Sequence, residues 1–166
     1  RGIGPALEAK DVLAVLVAAP DAPSDLRERA LAIAGAVLEL SGTAPDGQGY
    51  ELARAALDDG RAWAKFQAIC EAQGGMRTPP SAPLTRPWAA ARSGILTNIN
   101  NRKISRLAKL AGAPDDPAAG IVLHVRLGDG VVAGAPLVTV HAQAPGQLAY
   151  ALAYAAANPD IFEIEA

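Results

Sequence analysis

Apolar residues recur every three or four positions through the first half of the chain and alternate through much of the second, a pattern that predicts helices first and strands later. Pro5 suits a first helical position, and Ala6, Ala9, Leu13, Leu16 and Val17 carry a helical period up to Pro20. Ser24 is placed to cap a second helix whose stripe is Leu26, Ala30, Ile33, Val37 and Leu40, with Gly42 at its end. Beyond a Pro/Gly loop at 45–49, Leu52, Ala56 and Leu57 predict a short helix stopped by Gly60. Trp63, Phe66, Ile69 and Cys70 mark one face of another, closed by Gly74 and Gly75.

Four prolines in residues 77–87 (RTPPSAPLTRP) remove backbone donors and bias their predecessors away from helix, so this stretch reads as a linker. The period then changes. Trp88 to Arg92 and Ile95 to Ile99 predict short strands, and Ile104, Leu107, Leu110 and Ala111 a helix ending at Gly112. Ile121, Leu123 and Val125 alternate with Val122, His124 and Arg126, as on a strand with two different faces. Turns at 128–130 and 134–136 precede a strand over 137–141, followed by a helix through Leu148, Ala151, Leu152 and Ala155 and a last strand at 161–164. The expected class is α+β: a helical segment at 1–76, the linker at 77–87 and a compact α+β domain at 88–166.

The 166 residues carry 15 Lys and Arg against 17 Asp and Glu, a formal charge of -2. That balance removes the broad electrostatic case for nucleic acid, and no apolar run is long enough to predict a membrane helix. The lone Cys70 cannot form an internal disulfide, and no secretory leader is evident, so a cytoplasmic setting is expected. The chain opens on Arg1 rather than Met, which reads as a processed chain or a piece of a longer protein.

Few residues offer chemistry of their own. No Gly-Lys pair supports a Walker loop, no glycine triplet has the dinucleotide spacing, and no Ser sits in a Gly-x-Ser-x-Gly elbow. His124 and His141 read as strand histidines rather than an acid/base pair. Asp58-Asp59 and Asp115-Asp116 adjoin Gly or Pro and read as turn residues, and Cys70 as a small apolar residue. One charge pattern is unusual: Arg77, Arg86, Arg92, Arg102, Lys103, Arg106 and Lys109 fall in a stretch without Asp or Glu. Such a stretch forms either a solvated basic face or an anion-binding one.

The segment 125–142 (VRLGDGVVAGAPLVTVHA) resembles the hammerhead hairpin of biotinyl and lipoyl carriers, matching at Gly128, Asp129, Val131, Gly134 and Leu137. The residue in register with a carrier's lysine is Ala144, so the attachment amine is missing. A broader resemblance, over nearly the whole chain, is to the thymidine/pyrimidine nucleoside phosphorylase family. It is carried by RGIGPALEA (1–9), LELSG (38–42), GQG (47–49), GRAWAKF (60–66), EAQGG (71–75), GILTNINN (94–101), AGAPDD (111–116) and AGI (119–121). The AGAP form looks like the branch that includes AMP phosphorylases and related bacterial thymidine phosphorylases.

This resemblance implies the C-terminal part of a pentosyltransferase, with residues 1–76 belonging to the central α/β lobe and 88–166 forming a barrel-sandwich hybrid domain. It implies phosphorolysis, in which inorganic phosphate is co-substrate and no organic cofactor is needed. The family's phosphate cradle (Lys-x-Ser and Gly-Gly-Thr-x-Asp) and its base-holding Arg, Ser and Lys are expected upstream. No catalytic, cofactor-binding or metal residue is therefore assigned within this chain. The implied partners are the missing N-terminal lobe and a second copy in a homodimer, with neither nucleic acid nor membrane. The rival expectation is a standalone carrier-like interaction domain without a modifiable lysine.

Overall fold

A computed structural model describes residues 1–165. The fold is α+β, with six α-helices and two antiparallel sheets among the described residues. It divides into two compact units: Asp11–Thr78, and a second made of Arg1–Lys10 together with the chain from Pro79 onward. The first ten residues therefore belong with the C-terminal portion rather than with the helices that follow them.

The helical unit holds the later turns of α1 (Pro5–Leu16), then α2 (Ser24–Leu40), α3 (Gly49–Asp58) and α4 (Arg61–Ala72). Its buried centre is small: Val15, Leu31, Ala53 and Leu57, with Leu26, Leu38 and Tyr50 packed around it. Two glycines let α2 and α3 touch backbone to backbone. A Cβ on Gly35 would stand 2.6 Å from the Tyr50 nitrogen, and one on Gly49 2.1 Å from the Gly35 carbonyl oxygen. Glu39 of α2 secures the crossing by accepting the Gly49 N–H at 2.8 Å.

Two expectations for α2 are corrected here. Ser24 is its first residue rather than its cap, since Pro23 occupies the cap position without a side-chain hydrogen bond. Most of its expected core stripe also faces outward, Leu26 excepted: Ile33 and Val37 are each 58% exposed and Leu40 89%. The face actually buried is that of Leu31 and Gly35, because close approach to α3 requires the glycine. Trp63 and Phe66 stack on α4 at 6.0 Å between ring centroids, but no residue of that helix is fully buried.

The second unit contains β1 (Gly2–Ile3), β2 (Leu84–Ala89), β3 (Gly94–Ile99), α5 (Asn101–Leu110), β4 (Gly120–Leu123), β5 (Gly130–Val131), β6 (Pro136–Ala142), α6 (Pro145–Ala157) and β7 (Phe162–Glu165). One sheet has the order β1-β4-β6-β2 and the other β5-β3-β7. Both are open, so the hammerhead-like region is a pair of sheets and not a closed barrel. The expected hairpin is divided between them: β5 pairs with β3, while β6 lies between β4 and β2.

The Pro-rich stretch is only partly a linker, because β2 begins at Leu84. Pro87 is tolerated there since β2 is an edge strand, where a missing N–H need not break a second ladder. Strand β1 is too short to carry an alternation, and the sequence does not predict it. It pairs with β4 through Gly2↔Val122 and Ile3↔Ile121. Gly120 has φ +147, and a Cβ there would lie 2.1 Å from the Ile3 carbonyl oxygen, so glycine is needed where the two strands meet.

The core of this unit is extensive. Leu96, Leu107, Ile121, Val138, Val140 and Ile161 are fully buried, each contributing about 1.5–3 kcal/mol of hydrophobic stabilisation. Strand β6 shows how the pattern orients side chains: Val138, Val140 and Ala142 are buried, while Thr139 and His141 on the opposite face are half-buried.

Candidate functional site

The basic stretch singled out in the sequence becomes an exposed helical face. Asn100 caps α5, its side-chain oxygen accepting the Lys103 N–H at 3.2 Å, and Ile104, Leu107 and Ala108 bury the inner side. Spacing then puts Arg102, Ser105, Arg106 and Lys109 together on the outer side, at i, i+3, i+4 and i+7. They line an open cavity of about 690 Å³ with Tyr154 of α6. The Arg106 guanidinium lies 5.8 Å from the Tyr154 ring centroid, a cation–π distance. Lys103 also lines the cavity and is engaged in an ion pair with Asp160. Arg86 and Arg92 lie outside this face, on or after β2.

The letters Lys-x-Ser do occur once, at 103–105. There Lys103 is engaged in an ion pair with Asp160. No Gly-Gly-Thr sequence accompanies them.

The two histidines share the outer face of the first sheet. His124 Nε2 is 2.7 Å from Thr139 Oγ1, and His141 faces Gly120 on β4 and Thr85 on β2. Burial lowers the His141 pKa below the ordinary histidine value, with further lowering from the positive charge of Lys10 and from His124. Lys10 donates to Ser81 Oγ at 2.8 Å. Among the described residues no carboxylate hydrogen-bonds either imidazole, so there the pair lacks the partner that a general base needs for orientation.

Asp116 acts structurally, accepting from Gln147 Nε2, while Gln147 Oε1 accepts the Ala144 N–H at 3.0 Å. These bonds join the turn after α5 to the start of α6. Ala144 is the residue before α6, so where a carrier would display lysine between strands this chain enters a helix. Asp58 pairs with Arg27 at 2.7 Å, and Asp59 accepts the Arg61 N–H at 3.1 Å and its Nε at 2.8 Å. Cys70 is free and half-buried. Among the described residues no group of three or more His, Cys, Asp or Glu could hold a metal ion. No described helix is long and apolar enough to cross a membrane.

Residues 95–161 match the pyrimidine nucleoside phosphorylase C-terminal domain. The chain is 62% identical over 165 residues to "Putative thymidine phosphorylase 1" of Cupriavidus necator, covering 99% of this chain and 32% of that protein. It is 61% identical over 166 residues to "Putative thymidine phosphorylase" of Chelativorans sp., covering 100% and 33%. With the protein of the same name from Parvibaculum lavamentivorans the identity is 59% over 165 residues, covering 99% and 33%. The chain thus spans about a third of the length of the curated relatives it matches. Residues 95–161 thus carry the pyrimidine nucleoside phosphorylase C-terminal domain, and across both units the chain is similar to the C-terminal third of proteins named as thymidine phosphorylases.

Proposed function

We propose that this chain is the C-terminal part of a longer enzyme that phosphorolyses a pyrimidine nucleoside. In that reaction a phosphate oxygen forms a bond to the anomeric carbon as the carbon–nitrogen bond breaks. The electron pair leaves with the base, which takes up a proton, and the sugar departs as its 1-phosphate. The observation carrying this reading is end-to-end identity with relatives three times as long that bear the thymidine phosphorylase name. The chain's own part is structural: it braces or caps the cleft and supplies no reacting group.

The exposed Ile33, Val37 and Leu40 on α2 support packing of the helical unit, residues 11–78, against further protein in the central lobe. We place the parent in the cytoplasm, which the unpaired Cys70 fits, and as a homo-oligomer, most simply a dimer. The AGAPDD run at 111–116 favours a second reading, in which the parent acts on a nucleoside monophosphate such as AMP.

The test is base release from thymidine, uridine or AMP in the presence of phosphate. The 166-residue chain should release none, since positioning and transition-state stabilisation are both absent from it. The whole protein should release base only when phosphate is supplied, and the preferred substrate separates the two readings. Phosphate-dependent turnover by this chain alone, or none by the whole protein with all three substrates, overturns the proposal.

A further inference from the structure

We infer that the outer face of α5 binds a small phosphate monoester, with Arg102, Arg106 and Lys109 receiving the phosphate and Tyr154 lying against the organic body.

The first argument is that these charges are badly placed for the helix alone. Helix N-termini favour acidic residues, yet the first turn of α5 has none and carries Arg102 and Lys103. Arg102 and Arg106 are four residues apart, and Arg106 and Lys109 three, both separations at which like charges repel. Lys103 is neutralised by Asp160, and Arg106 rests on the Tyr154 ring. Arg102 and Lys109 have no ion-pair or hydrogen-bond partner among the described residues. A local rule broken without structural compensation is a mark of a functional surface.

Geometry supplies the second argument. The three cations span about 10 Å along one face, with the Ser105 hydroxyl between them. Guanidinium forks match phosphate oxygens in pairs, and a lysine adds a point charge that tolerates imprecise geometry. A dianion seated here would relieve the mutual repulsion.

The third argument is size and lining. A cavity of about 690 Å³ exceeds what a bare phosphate fills and falls within the range of small-molecule sites. Its wall includes the Tyr154 ring and Leu110, so it offers aromatic and aliphatic surface next to the cations. The ligand class that uses both is a phosphate ester with an apolar or aromatic body. Nucleotides and sugar phosphates share the phosphate and differ in that body. The inference rests on residues of this chain and does not depend on the parent's reaction.

The experiment uses the 166-residue chain at fixed ionic strength. A nucleoside monophosphate, a sugar phosphate, inorganic phosphate and the unphosphorylated nucleoside are titrated separately, with amide chemical shifts and thermal melting as readouts. At least one ester should bind saturably and more tightly than inorganic phosphate, shifting amides of α5, while the nucleoside does not bind. Which ester binds better identifies the body. R102Q/K109Q should weaken that binding about tenfold or more, as expected for two lost charge-assisted contacts. It should leave the ligand-free melting temperature equal or higher, whereas a purely structural role would lower it. R102K/K109R should restore much of the affinity, and Tyr154→Leu should weaken the ester but not inorganic phosphate. Absence of saturable binding by either ester, binding unchanged in R102Q/K109Q, or equal affinity for inorganic phosphate overturns the inference.

Discussion

The two units use similar apolar content to different ends. In the second unit six large side chains are fully buried, drawn from β3, α5, β4, β6 and the turn before β7. The helical unit's core cluster is Val15, Leu31, Ala53 and Leu57, and the unit leaves Ile33, Val37 and Leu40 on its surface. The larger unit has an extensive core of its own. The helical one depends on a close backbone crossing and presents apolar surface for further burial. Hydrophobic residues thus distinguish a complete core from an incomplete one only when their partners are known.

This contrast can be broken most strongly from the side of the large core. Leu107→Ala should destabilise the second unit by about 3–5 kcal/mol, because the fully buried leucine leaves a cavity among rigid neighbours. Melting followed by signals of α5 and the sheets should fall steeply. In the helical unit the sensitive point is Gly35 rather than an apolar side chain. Gly35→Val should cost about 1–3 kcal/mol or more by forcing α2 and α3 apart, detected as loss of Tyr50 and Leu57 chemical-shift dispersion with β-sheet signals retained.

Limited trypsinolysis sharpens the boundary. The first cut is expected after Arg77, since Pro87 hinders cleavage after Arg86. The two pieces should nevertheless co-elute under native conditions, because β1 holds residues from the chain start in the sheet with β4. Separation of the fragments on native gel filtration would assign residues 1–10 to the wrong unit.

The smallest effect expected concerns His141. Its pKa is lowered in the folded protein, by burial first and then by Lys10 and His124, so the unfolded state takes up a proton more readily. Stability from this source is complete above the unfolded value of about 6.5 and declines as pH falls from there toward the folded value. Comparing wild type with His141→Gln isolates it: the variant should show a shallower loss of melting temperature on mild acidification. An identical slope would show that His141 contributes nothing to the acid sensitivity.

Much of the second unit is legible in the sequence because its elements carry their own signals. The α5 pattern of Ile104, Leu107 and Leu110, the glycine turn at 128–130 and the alternation along β6 each specify local structure. What the residues do not disclose is pairing across distance. β1 is two residues long, and the assignment of β5 and β6 to different sheets depends on β3 and β2. The outward stripe of α2 misleads for a related reason: Ile33, Val37 and Leu40 have a regular apolar period, but Gly35, which no hydrophobicity pattern counts, selects the face that packs. The basic face is visible as a charge pattern, while the Tyr154 wall and the ion pair of Lys103 with Asp160 require the fold.

The division of the second unit into residues 1–10 and the chain beyond 78 has a consequence for biosynthesis. As the chain leaves the ribosome, the helices of 11–78 can assemble with contacts close in sequence, whereas β1 must wait for β4, more than a hundred residues later. Closure of so distant a pair is slow relative to local helix formation. Strand β1 therefore joins this sheet only late, and completing the sheet is a late event in folding.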